Sequence, residues 1–594
     1  MNFGAAYYPD YFPESDWARD LDAMHRAGIR TVRILEFGWC WYQPAPDVFR
    51  FDPLDRFLGL CLARTIAVCL STPTATPPPW FFQKYPDARL VDVNGRSCYS
   101  HRHMTCWQQP EARAEAFRTI ETLVARYGRH PAVTDWQIDN EPNYAEDISA
   151  CYDFNPHALR AGQAWLAARY GTLEALNASW FNVFWSQAFN EWEQVWVTHR
   201  PQVNPGSMLD FLRWRDHAMA EFVHAQAALL RRHAVNQRIG VNIPETGVVL
   251  STIIGQDYWA QAAGLDWIGT DLYTATSDRA ADLRALRLSC DLMRSVRDTA
   301  APGAAFLIAE TQGGPHMRNW ASGFAAYPWE PGFLRDSVNA YAERGAESVW
   351  YFLWRPVPGG QEIGMNATTD LDGGETEYSR EIARIATDSS SLSVLAASYS
   401  RRPLALVHYS RDTARFLYFF KDLDALARQH QGAHAWLDDK GYRIHYVTDA
   451  DLEKPLPAAA LLVLPESHLL SDHAQDTLLA WAAAPGAGEL ILGPHTGLLD
   501  ERGQLRPPSR PSLLQRLGLR PGKWSDQAVH ASADGRAVTA YRTFLAAPEM
   551  PVSAWLEASS GRMPALYKPA ANISLYTHRW CEPAAQTASA ASIA

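Results

Sequence analysis

The sequence has no long run of apolar residues and no run of basic ones. A membrane-spanning helix needs about 18 or more consecutive apolar residues, and no stretch of this chain approaches that length. The formal net charge is -11 and basic residues are not clustered, which argues against nucleic acid and membrane surfaces as partners. The opening segment, MNFGAAYYPDYFPESDW, carries neither a basic nor an apolar region, so no secretory signal is expected.

Cysteine is also scarce. Eight cysteines are scattered over 594 residues, which gives no disulfide framework and fits a reducing, cytoplasmic compartment. Tryptophan, by contrast, is abundant at 23 residues, and its faces either pack in a core or stack on sugar rings. The chain is too long for one hydrophobic core, so we expect two or more domains.

Short runs of β-branched and aromatic residues alternate with helical patterns over residues 1–385. Eight such runs occupy residues 3–8, 31–37, 67–72, 133–139, 238–243, 267–273, 306–311 and 348–354. Strands that alternate with helices form parallel sheets, and eight such units predict a (β/α)8 TIM barrel. An open doubly wound sheet is the alternative, but no glycine-rich phosphate loop follows the first strand.

Two carboxylates stand where predicted barrel strands end. Glu141 follows the fourth run in WQIDNEPNY, and Glu310 closes the seventh in IAETQGG. Active sites of such barrels lie at the carboxyl ends of the strands, so both side chains are expected at the barrel mouth. Each could instead be a surface acid, but both follow strongly apolar runs and have amide neighbours, Asn140 and Gln312.

Paired carboxylates at a barrel mouth suit cleavage of a glycosidic bond. One carboxyl gives its proton to the leaving oxygen, while the other stays ionised and attacks the anomeric carbon. Asn140, beside the acid, is placed to hydrogen-bond a sugar 2-hydroxyl, and this contact strengthens in the transition state. The sequence therefore predicts a glycosidase.

Several segments over nearly the whole barrel are shared with one known family. They are YYPDYFPESDWARDLDAMHRAGIRTVRILEFGW, WQIDNEPNY, WLAARYGTLEALNASWFNVFWSQAFNEWEQV, AETQGG and RPVPGGQE. The chain resembles glycoside hydrolase family 42, the β-galactosidases. The Asn-Glu-Pro motif indicates only the larger clan, whereas RYGTLEALNASWFNVFWSQ is far more specific. The resemblance implies a retaining β-galactosidase with Glu141 as acid/base and Glu310 as nucleophile.

The resemblance also implies a set of residues around the galactose ring. These residues are Arg33, Asn140, Trp320, Phe352 and Glu362. Trp180 is a further candidate, and so is Tyr273, which ends the sixth run and could orient the nucleophile. Alternatives stay open: Arg33 could form a structural salt bridge with Glu36, Trp180 could be a core aromatic, and Glu362 could be a solvated acid. The segment QEIGMN also lacks the histidine often found downstream in the family.

The zinc cluster of many relatives is incomplete in this chain. Of its four cysteines only Cys106 and Cys151 are kept, and a tetrahedral structural site needs four good ligands. Other possible ligands in this region are His101, His103, Asp153 and His157. Such residues near a cysteine are more often incidental, so we expect no metal and no cofactor.

Residues 395–581 have a different pattern. The runs PLALVHYS, RIHYVT, ALLVLPES and GELILGPH alternate with helical segments, which predicts a doubly wound α/β domain. This region resembles the amidotransferase-like domain that the family uses for trimer contacts, which implies a homotrimer. A glutaminase needs a nucleophilic cysteine, and none occurs here before Cys581. Residues 582–594 are expected to be disordered, and the small β domain that usually follows in relatives is expected to be absent.

Three functional interpretations therefore stay open. The first is a retaining β-galactosidase acting on lactose or galacto-oligosaccharides. The second is a retaining barrel glycosidase with another specificity, for a β-glucoside, β-fucoside or α-L-arabinopyranoside. The third is a non-catalytic sugar-binding or assembly protein, which would have no need of two carboxylates.

Overall fold

The structure is a computed structural model that describes most of the chain. The described residues are 1–97, 102–144, 152–195, 204–245, 247–274, 278–315, 332–420, 423–493 and 495–517, together with the backbone of six short strands between 528 and 575. Trp320, His101, Cys151, Cys581 and the 582–594 segment lie outside the described residues.

Eight parallel strands form a closed barrel, which confirms the predicted fold class. They are β1 (Asn2–Ala6), β2 (Thr31–Ile34), β3 (Ala67–Ser71), β4 (Val133–Gln137), β5 (Arg238–Asn242), β6 (Trp267–Leu272), β7 (Ala305–Gln312) and β8 (Ser348–Phe352). Each strand pairs with the next along the chain, and β8 pairs with β1. Every residue of β6 and β8 is buried, which explains why these strands appear in the sequence as nearly continuous apolar runs.

Helices cover the outside of the barrel. They are α1 (Glu14–Arg26), α2 (Trp39–Tyr42), α3 (Asp52–Ala63), α4 (Pro79–Lys84), α5 (Pro110–Tyr127), α6 (Pro156–Tyr170), α7 (Leu173–Ser179), α8 (Pro205–Arg231), α9 (Gly247–Ile253), α10 (Tyr258–Ala262), α11 (Arg279–Ala300), α12 (Phe333–Glu343), α13 (Glu377–Thr387) and α14 (Leu392–Ser400). In α1 the buried residues Trp17, Leu21 and Met24 recur at helical spacing, which places one apolar face against the barrel. Gly28, with a φ of +85°, turns the chain away from that helix.

The segment between β4 and β5 carries an exposed apolar turn. After α7, the side chains of Phe181, Val183, Phe184 and Trp185 are 57%, 75%, 55% and 76% exposed. We call these four residues the apolar tip. Large exposed apolar groups that adjoin one another are uncommon on a monomer and mark interaction surfaces.

The second domain is built on a six-stranded sheet. Its strands are β9 (Leu404–Tyr409), β10 (Arg443–Thr448), β11 (Leu461–Leu464), β12 (Glu489–Leu492), β17 (Tyr567–Ala570) and β18 (Ile573–Leu575), in the order β10-β9-β11-β12-β18-β17. Only β17 runs antiparallel to its neighbour in this sheet. Its helices are α15 (Arg411–Phe419), α16 (Leu423–Asp439), α17 (Asp472–Ala483) and α18 (Leu513–Arg516). The four predicted runs correspond to β9–β12.

Two hairpins accompany this sheet. They pair β13 (Ala528–Ala531) with β14 (Val538–Tyr541), and β15 (Trp555–Ala558) with β16 (Gly561–Pro564). Sequence patterning did not single out these strands, because their segments AVHA, VTAY, WLEA and GRMP form no continuous apolar run.

Buried ion pairs join the second domain to the barrel. On α15, Arg415 lies 2.6 Å from Asp216 of α8 and 3.0 Å from Asp257 at the start of α10. Arg411 pairs with the same Asp216 at 2.8 Å. Because these charges are buried, each needs its partners to offset lost hydration, so α15 is held in one orientation on the barrel.

A second buried carboxylate, Asp291 of α11, joins elements from both domains. It lies 3.1 Å from Arg344 and 3.0 Å from Nε2 of His434 on α16, and it accepts a 2.7 Å hydrogen bond from the hydroxyl of Tyr399. Separately, no helix within the described part of the chain has both the length and the apolar character needed to cross a bilayer.

Candidate active site

The end of β4 turns sharply at Glu141. This residue has a φ of +52°, a left-handed conformation that is uncommon for a residue with a side chain and occurs at functional sites. Its backbone N–H donates a 3.1 Å hydrogen bond to Oδ1 of Asn242, at the end of β5. The regular structure of β4 therefore ends just before Glu141, where the chain turns out of the barrel wall.

Glu310, near the end of β7, is held on both of its carboxylate oxygens. Oε1 lies 2.6 Å from Nη2 of Arg33, and Oε2 accepts a 2.5 Å hydrogen bond from the hydroxyl of Tyr273. The side chain is 5% exposed. A cation on one oxygen and a hydroxyl donor on the other hold the carboxylate of Glu310 in one orientation.

Arg33 forms the salt bridge with Glu36 that the sequence left open as an alternative, and it also pairs with Glu310. Its Nη2 atom lies 2.6 Å from Glu310 and 3.1 Å from Glu36, and Glu36 also accepts a 3.0 Å hydrogen bond from Tyr8. Burial disfavours the charge on Arg33, but Glu310 and Glu36 hold its pKa well above its ordinary value. The salt bridge with Glu36 and the position beside Glu310 are thus parts of one arrangement.

The two glutamates lie close together at the barrel mouth. One oxygen from each, together with one from Asp271, forms a group in which all atoms lie within 4.8 Å of one another. Glu141 is also paired with Arg102, whose Nη2 atom lies 3.0 Å from Oε2. The structure therefore brings together the two carboxylates that the sequence placed on separate strands.

Asp271 is a third carboxyl group that sequence reasoning did not identify. It lies on β6, is 3% exposed, and accepts a 2.8 Å hydrogen bond from Nδ2 of Asn242. Burial, with the charges of Glu310 and Glu141, raises the pKa of Asp271 well above its ordinary value, and its carboxyl hydrogen-bonds that of Glu141. The raised pKa favours the protonated form of Asp271, which is the form that can donate to that hydrogen bond.

Asn140 has its carbonyl oxygen occupied and its amide nitrogen free. Oδ1 accepts from Asn242 at 3.0 Å and from Gln137 at 3.3 Å. Among the residues that the structure describes, nothing accepts a hydrogen bond from Nδ2. The backbone oxygen of Asn140 lies 2.7 Å from Nε2 of His103. A buried amide donor without a partner is costly, and a ligand hydroxyl would satisfy it.

The loop after β8 and the end of that strand complete the described wall of the mouth. Phe352 is 5% exposed, and its ring centroid lies 6.3 Å from those of Tyr8 and Tyr273. Glu362 is half-buried. Its charge adds to burial and to Glu36 in raising the pKa of Tyr8 well above its ordinary value, so Glu362 lies near the same aromatic group.

Trp180 has the surroundings of a core aromatic. It is 3% exposed, packs with Leu166, Leu176 and Val195, and donates its indole N–H to Asp210 at 2.9 Å. The structure therefore favours the packing role over the sugar contact expected for this residue. Tyr273, in contrast, takes the orienting position beside Glu310 that its place in the sequence suggested.

The region of the family's zinc cluster contains other interactions. Cys106 is buried and hydrogen-bonds Asp153, and burial raises the pKa of Asp153 to about 6. His103 contacts the backbone of Asn140, and Nδ1 of His157 lies 3.2 Å from Arg160. Within the described ranges, Cys106 belongs to no group of three potential metal ligands.

Comparison with known proteins gives matches over most of the chain. A family model described as β-galactosidase, glycoside hydrolase family 42, matches residues 6–392. The chain is 29% identical over 588 residues to the β-galactosidase Bga of Halorubrum lacusprofundi, covering 94% of this chain and 79% of that protein. It is 30% identical over 539 residues to a β-galactosidase of Thermus thermophilus, covering 86% and 78%.

Solved structures give the same picture. A β-galactosidase from the psychrophilic Marinomonas ef1 superposes with a TM-score of 0.79 at 26% identity, covering 98% of this chain and 89% of that chain. The polyextremophilic β-galactosidase of Halorubrum lacusprofundi superposes with a TM-score of 0.79 at 25% identity, covering 98% and 87%. The similarity thus extends over both domains of this chain.

Proposed function

The chain belongs to the β-galactosidase family of glycoside hydrolase family 42, and from this membership we propose that it is a retaining β-galactosidase. It removes terminal non-reducing β-D-galactosyl groups, with Glu141 as acid/base and Glu310 as nucleophile. The observation that carries this proposal is the separation of the two carboxylates, whose nearest oxygens lie within 4.8 Å. Retaining glycosidases place the two groups about 5–5.5 Å apart, whereas inverting ones need about 6.5–9.5 Å.

In the first step Glu310 displaces the aglycone. Its carboxylate oxygen attacks the anomeric carbon, the bond from that carbon to the glycosidic oxygen breaks, and Glu141 gives its proton to the departing oxygen. Arg33 and Tyr273 contact the two oxygens of Glu310 and fix its orientation. Both contacts weaken when the carboxylate of Glu310 loses its charge in the new ester bond. They therefore affect the reactivity of Glu310 as well as its orientation.

In the second step water takes the place of the aglycone. Glu141, now ionised, accepts a proton from a water molecule, and the water oxygen attacks the anomeric carbon while Glu310 departs with its electron pair. Two inversions leave the β-configuration unchanged. Arg102, at 3.0 Å from Glu141, stabilises the ionised form of the acid/base between the two steps.

Sugar recognition in this proposal uses the groups around these carboxylates. The Nδ2 amide of Asn140, which has no acceptor among the described residues, donates to the 2-hydroxyl, where hydrogen bonding strengthens in the transition state. Phe352 supplies an apolar face, Glu362 accepts from ring hydroxyls, and Trp320 contributes from the segment after β7. Asp271 positions Glu141 through a hydrogen bond.

We also propose that the protein is a homotrimer in the cytoplasm. Four large apolar side chains of the apolar tip are more than half exposed in the single chain, and their burial by a second copy would remove this exposed surface from water. The second domain carries no described cysteine and serves assembly in this proposal. The described cysteines are free thiols, as in a reducing compartment.

Substrate specificity is tested with a panel of nitrophenyl glycosides. The β-D-galactoside should give a kcat/KM well above those of the β-glucoside, the β-fucoside and the α-L-arabinopyranoside. A higher value on one of these three sugars would assign another specificity to the same mechanism. Absence of turnover on every substrate would support a binding protein instead.

The two glutamate roles are tested by chemical rescue. Glu310→Ala should lose activity and regain it with azide, giving an α-galactosyl azide, because azide then attacks from the face that Glu310 occupied. Glu141→Ala should keep turnover of substrates with good leaving groups, which need little protonation, and should give a β-galactosyl azide. If each variant shows the other's behaviour, the roles are reversed.

A further inference from the structure

A cluster of potential metal ligands lies in the second domain, away from the barrel mouth. Glu466 and His468 follow β11, and His495 follows β12. These two strands are paired in parallel from Leu461–Glu489 to Leu464–Leu492. Because neighbouring parallel strands are about 4.8 Å apart, residues just beyond their carboxyl ends converge on one point.

The donor atoms of these residues have metal-like separations. One ligand atom from each of Glu466, His468 and His495 lies within 4.8 Å of the others. Nε2 of His468 is 3.0 Å from Oε2 of Glu466, and the centroids of the imidazole rings of His468 and His495 are 4.9 Å apart. Two ligands that are each about 2.1 Å from one ion, at about 90–110°, lie about 3.0–3.4 Å from each other.

The surroundings favour an ion over a hydrated surface cluster. Glu466 is 1% exposed and His468 is 6% exposed. His495 has a φ of +62°, a left-handed conformation that is uncommon in a residue with a side chain and occurs at functional sites. The backbone N–H groups of Gly497 and Leu499 bond the carbonyls of Ser467 and His468, which locks the two loops together.

A further buried histidine stands beside the cluster. His430 of α16 is 5% exposed, and neither of its ring nitrogens has a hydrogen-bond partner among the described residues. The charge of Glu466 acts on the ring of His430, so this side chain lies beside the cluster without being one of its three proposed ligands.

The same edge also holds a serine–histidine–aspartate chain. Ser467 lies 2.7 Å from Nδ1 of His408, and Nε2 of His408 lies 3.2 Å from Asp449. Ser467 and His408 are both fully buried, so a substrate has no access to the hydroxyl. This chain is better explained as support for the loop that carries Glu466 and His468 than as a hydrolytic site.

We propose that Glu466, His468 and His495 bind one divalent transition-metal ion, for which zinc is the probe. Two imidazoles and one carboxylate form a ligand set that zinc and its neighbours in the first transition row accept. The ion joins the loops at the carboxyl ends of β11 and β12, where Nε2 of His468 and Oε2 of Glu466 now contact each other at 3.0 Å. The ion is structural, since the galactosidase chemistry lies in the barrel.

The position of the cluster beside α15 indicates the structural effect of a bound ion. Next to the ligand loop, the N–H of Leu469 donates to Oγ1 of Thr413 at 3.3 Å. Thr413 belongs to α15, the helix that docks on the barrel through Arg411 and Arg415. An ion at this edge therefore stiffens the contact between the two domains. The expectation of no metal was drawn from the barrel cysteines and the residues near them, so it did not consider this cluster.

The test is the zinc content of the untagged full-length protein. Wild-type protein is loaded with Zn²⁺, freed of excess by gel filtration and measured by elemental analysis, beside His468→Ala/His495→Ala. We expect about one zinc ion per chain in the wild type and its loss in the double variant. The melting temperature of the wild type should rise on zinc loading, and that of the double variant should not.

Control variants separate this site from others. His473→Ala removes an exposed histidine of α17 and Cys106→Ser removes the barrel thiol, and both should keep the wild-type zinc content. Circular dichroism establishes whether each variant is folded. If the double variant does not fold, Glu466→Gln, in which the new side chain has a similar size, is compared with the wild type instead. The proposal is overturned if wild-type protein retains no zinc, or if a folded ligand variant retains as much as the wild type.

Discussion

The hydroxyl of Tyr273 donates a 2.5 Å hydrogen bond to Oε2 of Glu310, on the opposite oxygen from the one that pairs with Arg33. The proposed nucleophile is therefore held on both carboxylate oxygens, by Arg33 of strand β2 and by Tyr273, the residue that follows strand β6. Burial, with the charges of Glu310 and Asp271, raises the pKa of Tyr273 well above its ordinary value. Tyr273 thus remains a hydrogen-bond donor throughout the working pH range.

Removal of this hydroxyl should slow the reaction. Hydrogen bonds to charged groups contribute about 1.5–3 kcal/mol, so Tyr273→Phe should lower kcat about 10- to 100-fold. The measurement is steady-state turnover of a nitrophenyl β-galactoside. Tyr341→Phe is the matched control, because it removes a buried hydroxyl that contacts Thr311. A Tyr273→Phe enzyme with the turnover of the control would contradict the orienting role.

Asp271→Asn should keep most of the activity. The asparagine side chain can donate to Glu141 as the protonated Asp271 does, and it has nearly the same size. On lactose, whose leaving group needs protonation, we expect kcat within about tenfold of the wild type, whereas Glu141→Gln, which loses the acid/base itself, should lose about 10²–10⁴-fold. Asp271→Ala should fall between them. If Asp271→Asn is as inactive as Glu141→Gln, Asp271 must act as an ionised carboxylate.

Asp291→Asn should destabilise the protein in a pH-dependent way. Burial alone would raise the pKa of Asp291, but Arg294 and Arg344 outweigh it and hold the pKa well below its ordinary value. Breaking a buried pair by removing one partner costs about 3–5 kcal/mol. The variant should therefore unfold at a clearly lower temperature at pH 7.

The sign of the pH effect follows from the lowered pKa. The unfolded chain takes up the proton first, so the stability from Asp291 is complete above about pH 5 and is lost as the pH falls below about 4. The difference in melting temperature between the wild type and Asp291→Asn should then shrink from pH 7 toward pH 3.5. A difference that stays constant with pH would show that charge is not its cause.

The apolar tip should control assembly. Phe184→Ser/Trp185→Ser replaces two side chains that are 55% and 76% exposed, so the fold of the single chain should tolerate it. Light scattering at micromolar concentration should give a mass near three chains for the wild type and a smaller mass for the variant. A wild-type species of 66.5 kDa would exclude the trimer, and an unchanged trimer in the variant would move its interface elsewhere.

Local patterns in the sequence predicted the barrel because each strand and helix carries its own signal. The same patterns located Glu141 and Glu310, since both stand at strand ends. Asp271 was missed because the run WIGTDLY appears as a uniform buried strand, and a lone acid in such a run has no pattern of its own. Its role depends on proximity to Glu141, which is 130 positions away in the sequence and close only in the closed barrel.

The cluster in the second domain was missed for a related reason. His468 and His495 belong to different loops, and the helix α17 and the strand β12 separate them in sequence, so no short metal-binding motif is present. Trp180 was a candidate for the sugar site, whereas its indole N–H donates a hydrogen bond to Asp210. Long-range contacts of this kind are set by packing, and a single sequence does not encode them in a local pattern.

Proton NMR of the first product tests most directly whether Glu141 and Glu310 act as a retaining pair. Hydrolysis of a nitrophenyl β-D-galactoside is followed from the earliest time points, before mutarotation mixes the anomers. If the two glutamates form a retaining pair, β-galactose appears first and the α-anomer accumulates only later. Initial release of α-galactose would contradict it, because a single displacement would then have occurred despite carboxylate oxygens within 4.8 Å of each other.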